Sequence, residues 1–249
     1  MNLFRKTTTA PVPSASGKGP AISFDKVPSG LVNLTKTAAV SLEKKGLTGQ
    51  RSAVYLVVDR SYSMAPFYRD GSVQLLAEQA LGLSANLDDD GRVPLLMFDS
   101  RPYDFTEVSL DSYAGIVGQW HALNGGEDTM AGTRYAPAID AVVQHYQRSQ
   151  ARDPAFVIFQ TDGDPQDRPI VEQRLKEVSN LPLFWSFVGF GHNINFLKRL
   201  DNLRGRTVDN ASFFHAANPR SLSDTDLYDG LTHEYGSWLA DATAAGVIR

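Results

Sequence analysis

One stretch of the chain, residues 52–64 with the sequence SAVYLVVDRSYSM, constrains the fold more than any other. Its apolar and largely β-branched residues run from Ala53 to Val58 and stop at Asp59. A continuous apolar run of this length is typical of a parallel strand that is buried on both faces. Open α/β sheets bind their ligands beyond the carboxyl ends of such strands. We therefore expect a central strand here, followed immediately by a polar ligand site.

Oxygen-bearing side chains follow this strand at alternate positions, namely Asp59, Ser61 and Ser63. One carboxylate and two hydroxyls from a single turn are hard oxygen ligands, of the kind that Mg²⁺ takes in an octahedral, partly hydrated site. Alone this pattern is a weak signal, because serines often form turns and helix caps. It predicts a metal site only if other segments supply further oxygen ligands at the same edge of the sheet.

Composition excludes several classes of site. The 249 residues include no cysteine, so disulfides, thiolate metal sites and cysteine nucleophiles are excluded. No apolar run approaches the roughly 18 residues that a membrane-spanning helix needs. The N-terminus lacks the apolar core of a secretory signal. We expect a cytoplasmic protein with no membrane partner.

The first fifty residues differ from the rest of the chain in charge. They contain seven lysines and arginines against two acidic residues, within a net charge of −4 for the whole chain. A basic arm can bind nucleic acid, but this one has no arginine cluster and a single aromatic pair. We expect it to lie across the acidic body of the protein. Residues 1–20, rich in Thr, Ser, Pro and Gly, are predicted to be a flexible leader.

A short alternating pattern occurs three times in residues 21–48, at 22–26, 32–36 and 40–44. Each copy reads apolar, polar, apolar, polar, Lys, which is the alternation of a half-buried strand. We therefore predict a short β-arm over 21–48, with residues 31–44 paired as strands or lying against the domain. A lysine at the end of each copy would also keep exposed strand edges from pairing with other chains.

Strands and helices alternate over residues 49–245, which we assign to one domain. Further strands are predicted at 93–98, 155–160, 183–190 and 211–215, and a last helix at about 223–242. This alternation predicts the α/β class, with a doubly wound, mostly parallel sheet flanked by helices and preceded by the β-arm. Neither GxGxxG nor GxxxxGK[ST] follows the first strand, which argues against a nucleotide-binding fold.

Two further segments supply oxygen ligands at predicted strand ends or loops. Thr133 ends a glycine-rich polar loop over 124–133, and Asp162 follows the strand AFVIFQT. With Asp59, Ser61 and Ser63, and in this order, they resemble the metal-ion-dependent adhesion site of von Willebrand factor A domains, over about residues 50–240.

The resemblance implies a divalent cation, most often Mg²⁺, with Ca²⁺ and Mn²⁺ as alternatives. In that family the two serines and the threonine hold the ion, and the two aspartates support it directly or through water. The residues here would be Asp59, Ser61, Ser63, Thr133 and Asp162. A partner's acidic group typically completes the sixth coordination position. The resemblance thus implies a protein partner that supplies a carboxylate.

A second resemblance lies in the arm. The sequence VNLTKTAAVSLEKKGL is similar to the opening strands of the bacterial tellurium-resistance (Ter) stress-protein domain, over about residues 22–47. The acidic calcium-binding segments of that domain are absent from this sequence. In such operons von Willebrand A proteins occur beside Ter domains and fused to them. The resemblance therefore implies a bacterial Ter-associated protein, with a Ter-family protein as one candidate partner.

These observations predict a non-enzymatic, metal-dependent interaction module of a bacterial tellurium-resistance or stress-response system. The alternative is a Mg²⁺-dependent phosphotransferase or hydrolase with Asp59 as nucleophile. Such enzymes usually carry a second acidic residue two positions after the nucleophile, where Ser61 stands here. A serine hydrolase would need a G-x-S-x-G elbow, which is missing. Asp164 and Asp167 read as turn residues, with a metal contact as the minor alternative.

Overall fold

The computed structural model describes residues 19–248 and shows one six-stranded sheet flanked by helices. The strand order is β3-β2-β1-β4-β5-β6, and every neighbouring pair is parallel except β2 with β3. The strands are β1 (Ala53–Asp59), β2 (Arg92–Phe98), β3 (Thr106–Ser109), β4 (Ala155–Thr161), β5 (Leu183–Phe190) and β6 (Ala211–Ala216). The predicted α/β class and doubly wound, mostly parallel sheet are confirmed.

The α-helices of residues 19–248 lie on both faces of this sheet. They are α1 (Val32–Lys44), α2 (Ala65–Arg69), α3 (Ser72–Leu87), α4 (Ile116–Leu123), α5 (Ala136–Ser149), α6 (Arg168–Glu177), α7 (Asn195–Asp201), α8 (Asp224–Leu231) and α9 (Tyr235–Ala244). None of the helices in this described part is long and apolar enough to cross a membrane.

The core has two halves, one on each face of the sheet. Alternate residues of β1 point to opposite faces, so that Val54 and Leu56 pack with α1, α3, α8 and α9, whereas Tyr55 and Val57 pack with α5, α6 and α7. Every residue of β4 and β5 is buried, as expected for central strands of a parallel sheet. The three strands that were predicted to be buried are therefore confirmed.

The predicted β-arm over 21–48 is wrong. Residues 32–44 form the helix α1, and Phe24–Lys26 form a short 3₁₀ turn. The residues that α1 buries include Leu34, Ala38 and Leu42, which recur every four positions and so define a helical stripe. The alternation of apolar and polar residues predicted a strand, but packing against α3 and α8 selects the helix. The alternative that this segment lies against the domain is correct.

Two smaller features differ from the sequence prediction. The edge strand β3 was not predicted, because it has only four residues and a single apolar one, Val108. The predicted last helix over 223–242 is divided into α8 and α9, and Thr232 between them donates its hydroxyl to the carbonyl of Tyr228. The predicted flexible leader, residues 1–20, lies almost wholly outside the described residues.

Candidate metal centre

The candidate site lies where the order of the strands reverses, between the carboxyl ends of β1 and β4. From β1 the chain continues to β2 on one side of β1, and it later returns to β4 on the other side. The crevice between β1 and β4 is therefore the topological switch point of the sheet. Asp59 ends β1 and Thr161 ends β4. The Thr161 hydroxyl donates to Asp59 Oδ2 at 2.6 Å, and the Ser61 amide donates to Oδ1 at 2.6 Å.

Both serines and Asp162 lie together above Asp59. The hydroxyls of Ser61 and Ser63 are 3.3 Å apart, and Ser63 donates to Asp162 Oδ1 at 2.8 Å. Asp59 and Ser61 are buried, whereas Ser63 is exposed and Asp162 is half-buried. The cluster therefore has a buried floor and opens to solvent on the side of Ser63 and Asp162.

Thr133 is brought to this cluster by its backbone. The carbonyl of Ala131 accepts from the amide of Tyr62 at 3.1 Å, and the carbonyl of Thr133 accepts from the amide of Gln166 at 2.9 Å. These bonds place the loop between the end of β1 and the loop after β4. Within residues 19–248, no hydrogen bond links the Thr133 hydroxyl to the other four predicted ligands. The assignment of all five residues as metal ligands stays a prediction.

Burial shapes the electrostatics of the two carboxylates. Desolvation raises the pKa of Asp59 to about 7, against the hydrogen bonds from Thr161 and Ser61 that favour the ionised form. Burial also raises the pKa of Asp162, although Ser63 opposes the shift. Among residues 19–248, neither carboxylate forms an ion pair with a lysine, arginine or histidine.

These side chains suit a hard divalent cation. In the described residues, no three acidic or histidine side chains converge as in an all-charged metal cage. The donor set is instead two carboxylates with two hydroxyls beside them and a third hydroxyl, that of Thr133, on the adjoining loop. A cation would offset the cost of burying Asp59 without a counter-charge. Oxygen donors of this kind match Mg²⁺, Mn²⁺ or Ca²⁺ rather than soft metals.

Asp164 and Asp167 have structural contacts instead of metal-directed ones. Asp167 accepts from the amides of Tyr135 and Ala136, both at 3.1 Å, and so caps the start of α5. Asp164 accepts from the amide of Phe196 at 3.0 Å, at the start of α7. Both therefore fix helix ends around the site.

Sequence reasoning missed Arg60, which lies between the ligand candidates Asp59 and Ser61. Its side chain is fully buried, and its guanidinium binds the loop after β2, the loop after α4 and His121 in α4. An arginine between two ligand positions after an apolar run was a signal that such a residue must find buried partners. The partners themselves are 39 to 69 residues away in the chain, and spacing alone does not identify them.

Comparison with known proteins gives a family match over most of the chain. The vWA-TerF-like family model, described as the vWA found in the TerF C terminus, matches residues 51–248. The Bacillus subtilis (strain 168) protein YcbR, itself uncharacterized, is 34% identical over 219 residues, which covers 86% of this chain and 88% of YcbR.

Solved structures share the fold at low identity. A von Willebrand factor type A protein from Catenulispora acidiphila superposes with a TM-score of 0.53 at 13% identity, over 74% of this chain. This chain spans only 42% of the length of that structure. The manganese-loaded Plasmodium vivax TRAP protein gives a TM-score of 0.50 at 19% identity, over 74% of this chain and 72% of TRAP. These likenesses support the fold alone.

Proposed function

The chain belongs to the vWA-TerF-like family of von Willebrand factor A domains, and we propose that it is a metal-dependent protein-protein interaction module. Asp59, Ser61, Ser63, Thr133 and Asp162 would hold one divalent cation, for which Mg²⁺ is our first choice. A carboxylate of a protein partner would complete its coordination. The family description, which places related domains in TerF, supports a role beside Ter proteins in a tellurium-resistance or stress system.

One observation carries this proposal: Asp59, which is buried and has no ion pair among the described residues, lies beneath a cluster of hydroxyls that opens to solvent. When bound, the cation would act as a Lewis acid toward an incoming carboxylate. The chain's own part is to supply hard donors from three loops and to keep the floor of the site dry. Neutral hydroxyl ligands leave the ion electrophilic enough to bind a third carboxylate.

The exposed side chain next to this opening fits a protein partner. Tyr62 lies between the two candidate serines, and 76% of its surface is exposed although it is a large aromatic residue. Its backbone amide is fixed by Ala131, so the loop presents the ring outward. Tyrosines in such positions are enriched at protein interfaces, because they bury a large area at low entropic cost.

The contacts of Asp59 argue against the alternative in which this residue is a nucleophile. Its side chain is completely buried, and both of its oxygens already accept hydrogen bonds, from Ser61 and Thr161. A phosphotransferase nucleophile must reach an incoming phosphorus atom. We therefore propose that the protein is not an enzyme, and a generic phosphatase substrate with Mg²⁺ should give no turnover.

The decisive experiment uses the metal first and a carboxylate probe second. Calorimetry with MgCl₂ and with MnCl₂ should give one site per chain; Mn²⁺ is included because the TRAP structure is manganese-loaded. A pool of fluorescent peptides with a central Asp or Glu is then compared with the same pool carrying Asn or Gln. Only the acidic pool should bind, and EDTA should abolish that binding.

Two results would contradict the proposal. Binding that is equal for acidic and amide peptides, or that ignores EDTA, would rule out a metal-bridged carboxylate. Hydrolysis of the phosphatase substrate that disappears in Asp59→Asn would favour the enzyme instead.

A further inference from the structure

We infer that Arg60 is the positioning residue of the metal centre: it holds the 124–134 loop so that Thr133 faces the other ligands. This inference rests on the proposed function, since it concerns the same cation site. It assigns a role to a residue that would not touch the metal itself. The guanidinium of Arg60 is fully buried.

Arg60 reaches into the loop that ends at Thr133. Its Nη2 lies 2.8 Å from the carbonyl oxygen of Asn124, 2.6 Å from that of Gly126 and 2.5 Å from Thr129 Oγ1. Because Nη2 carries two hydrogens, one of them is shared between two of these acceptors. The Thr129 hydroxyl in turn donates to Asn124, also at 2.8 Å. The segment from Asn124 to Thr129, which includes a 3₁₀ turn at Gly126–Thr129, is thus closed around one nitrogen.

Arg60 also contacts the loop after β2. Its Nη1 donates to the hydroxyl of Tyr103 at 2.6 Å and lies 3.4 Å from Asp99 Oδ2. The carbonyl of Asp99 accepts from the amide of Arg134, the residue after Thr133, at 2.9 Å. Arg60 therefore fixes the residue whose backbone holds the far side of the Thr133 turn.

The place of Arg60 in the chain links the two segments. It stands between Asp59 and Ser61, so its backbone belongs to the metal-binding turn while its side chain belongs to the Thr133 loop. The bridge between Ser61 and Ala131 joins the same two segments through their backbones. We therefore expect a shift of the guanidinium to change the distance between Thr133 and the candidate ligands Asp59 and Ser61.

Charge explains why arginine suits this position. A cation beside a metal site would weaken metal binding, but Asp99 neutralises Arg60, and its remaining donors bind carbonyls, hydroxyls and the Nδ1 atom of His121. Arginine has five donors in a fixed planar arrangement, whereas lysine has three on one flexible point charge. Lysine at position 60 would keep the charge and lose the simultaneous contacts with both loops.

The test measures Mg²⁺ affinity of the full chain by calorimetry in wild type and Arg60→Lys. We expect Arg60→Lys to weaken Mg²⁺ binding about tenfold, or about 1.4 kcal/mol. Thr129→Val removes one acceptor of Arg60 without altering the arginine, and it should weaken binding by about threefold. This second variant keeps the inference testable if Arg60→Lys folds poorly.

The matched control is Arg206, another buried arginine. Its side chain is 4% exposed, it donates to the carbonyls of Leu203 and Asp201, and it pairs with Asp209. It precedes β6 and so lies at the amino edge of the sheet, away from the candidate site. Arg206→Lys should lower the unfolding midpoint as much as Arg60→Lys does, yet leave Mg²⁺ affinity unchanged.

A double-mutant cycle separates positioning from general stability. If Arg60 acts through Thr133, then Arg60→Lys should have little further effect on Mg²⁺ affinity in a Thr133→Ala background. Hydrogen exchange of the metal-free chain adds a readout that does not depend on the ion. The amides of Tyr62, Arg134 and Gln166 should exchange faster in Arg60→Lys and not in Arg206→Lys.

The outcomes distinguish the two proposals. A wild-type chain that binds neither Mg²⁺ nor Mn²⁺ overturns both the metal site and the role of Arg60. A wild type that binds Mg²⁺, with Arg60→Lys binding equally well or Arg206→Lys losing as much affinity, overturns only the role of Arg60. Additive losses in the cycle with Thr133→Ala would also overturn it.

Discussion

Asp59 is a buried carboxylate that no basic side chain among residues 19–248 neutralises. Replacing it by asparagine removes the charge but retains an oxygen that can accept from the Ser61 amide. We expect Asp59→Asn to lower Mg²⁺ affinity at least tenfold, because the ion loses one of two carboxylates. The unfolding free energy of the metal-free protein should stay equal or rise, because a buried charge without a partner is costly.

Calorimetry with MgCl₂ and urea unfolding in EDTA test this prediction on the same samples. Asp164→Asn is the matched control, since Asp164 caps α7 and does not belong to the ligand set. It should lower stability without changing Mg²⁺ affinity. Equal Mg²⁺ affinities for Asp59→Asn and wild type would mean that the ion binds elsewhere.

His121 gives a prediction for pH. Its Nδ1 accepts from Arg60 Nε at 3.2 Å, and its ring stacks on Tyr68 at a centroid distance of 4.4 Å. Burial and then the positive charge of Arg60 lower the pKa of His121, and Glu127 opposes them weakly. The unfolded chain, with a histidine pKa near 6.5, therefore takes up a proton before the folded protein does.

The contribution of His121 to the free energy of unfolding is therefore fully present above about pH 6.5, and it is lost as the pH falls below that value. Urea unfolding at pH 7.5 and pH 5.5 tests the point. In His121→Asn the new side chain places an oxygen near the position of Nδ1 and does not titrate. This variant should therefore lose less unfolding free energy between pH 7.5 and pH 5.5 than the wild type does. An identical loss would exclude His121 as a cause.

The sequence predicted those parts of the candidate site that directly follow a strand, because the end of a strand determines where the next residues lie. Asp59 and Asp162 follow apolar runs, and parallel neighbours bring such ends together, so their proximity follows from the pattern. The contacts of Arg60 were not predictable, because they depend on how a long loop returns to the sheet. Local spacing carries no information about that return.

Among the elements, α3 shows how tightly the layers pack. Nearly all of its residues are buried, because the sheet lies on one side and α1 on the other. A Cβ added at Gly82 would lie 2.9 Å from the Cβ of Leu34 and 3.0 Å from the hydroxyl of Tyr228. The backbone of α1 is also close, with the Leu34 carbonyl carbon at 3.2 Å. Glycine at this position allows the two helices to approach.

We therefore expect Gly82→Ala to destabilise the protein by about 1–3 kcal/mol, because α1 must shift to relieve the contact. Gly118→Ala is the control, since it lies within α4 and a Cβ there meets nothing within 4 Å. That change should stabilise by about 0.5–1 kcal/mol through helix propensity. Thermal unfolding of both variants tests this prediction. Equal changes in the unfolding midpoint would show that α1 and α3 are not closely packed at Gly82.

The helix α1 also shows where sequence patterns mislead. Leu31, Leu34, Ala38 and Leu42 recur at three and four positions, yet the same segment alternates as a strand does around Val32 and Val40. The two periods coexist over thirteen residues, and only the partner surface selects between them. Central strands such as β4 and β5 have no such ambiguity, because they are apolar throughout.

At the scale of the whole molecule, α1 belongs to the same core as the family domain. The family match begins at residue 51, but Leu31, Leu34, Leu42 and Leu47 before it are all buried against the domain. The amide of Ile22 donates to Ala85 in α3, and Asn86 donates its side-chain amide to the carbonyl of Thr35. The hydrophobic core therefore extends beyond the start of the matched region.

A chain that begins at residue 51 should consequently fold poorly. Each buried leucine that is lost removes about 1.5–3 kcal/mol of stabilisation, and four of them approach the roughly 5–15 kcal/mol by which typical domains are stable. A chain that begins at residue 19 keeps all described contacts of α1 and serves as the control. Thermal unfolding and dye binding to exposed apolar surface compare the two: the shorter chain should melt at least about 15 °C lower or fail to give a cooperative transition. If both chains melt at the same temperature, α1 lies on the domain without stabilising it, and the family match alone defines the folding unit.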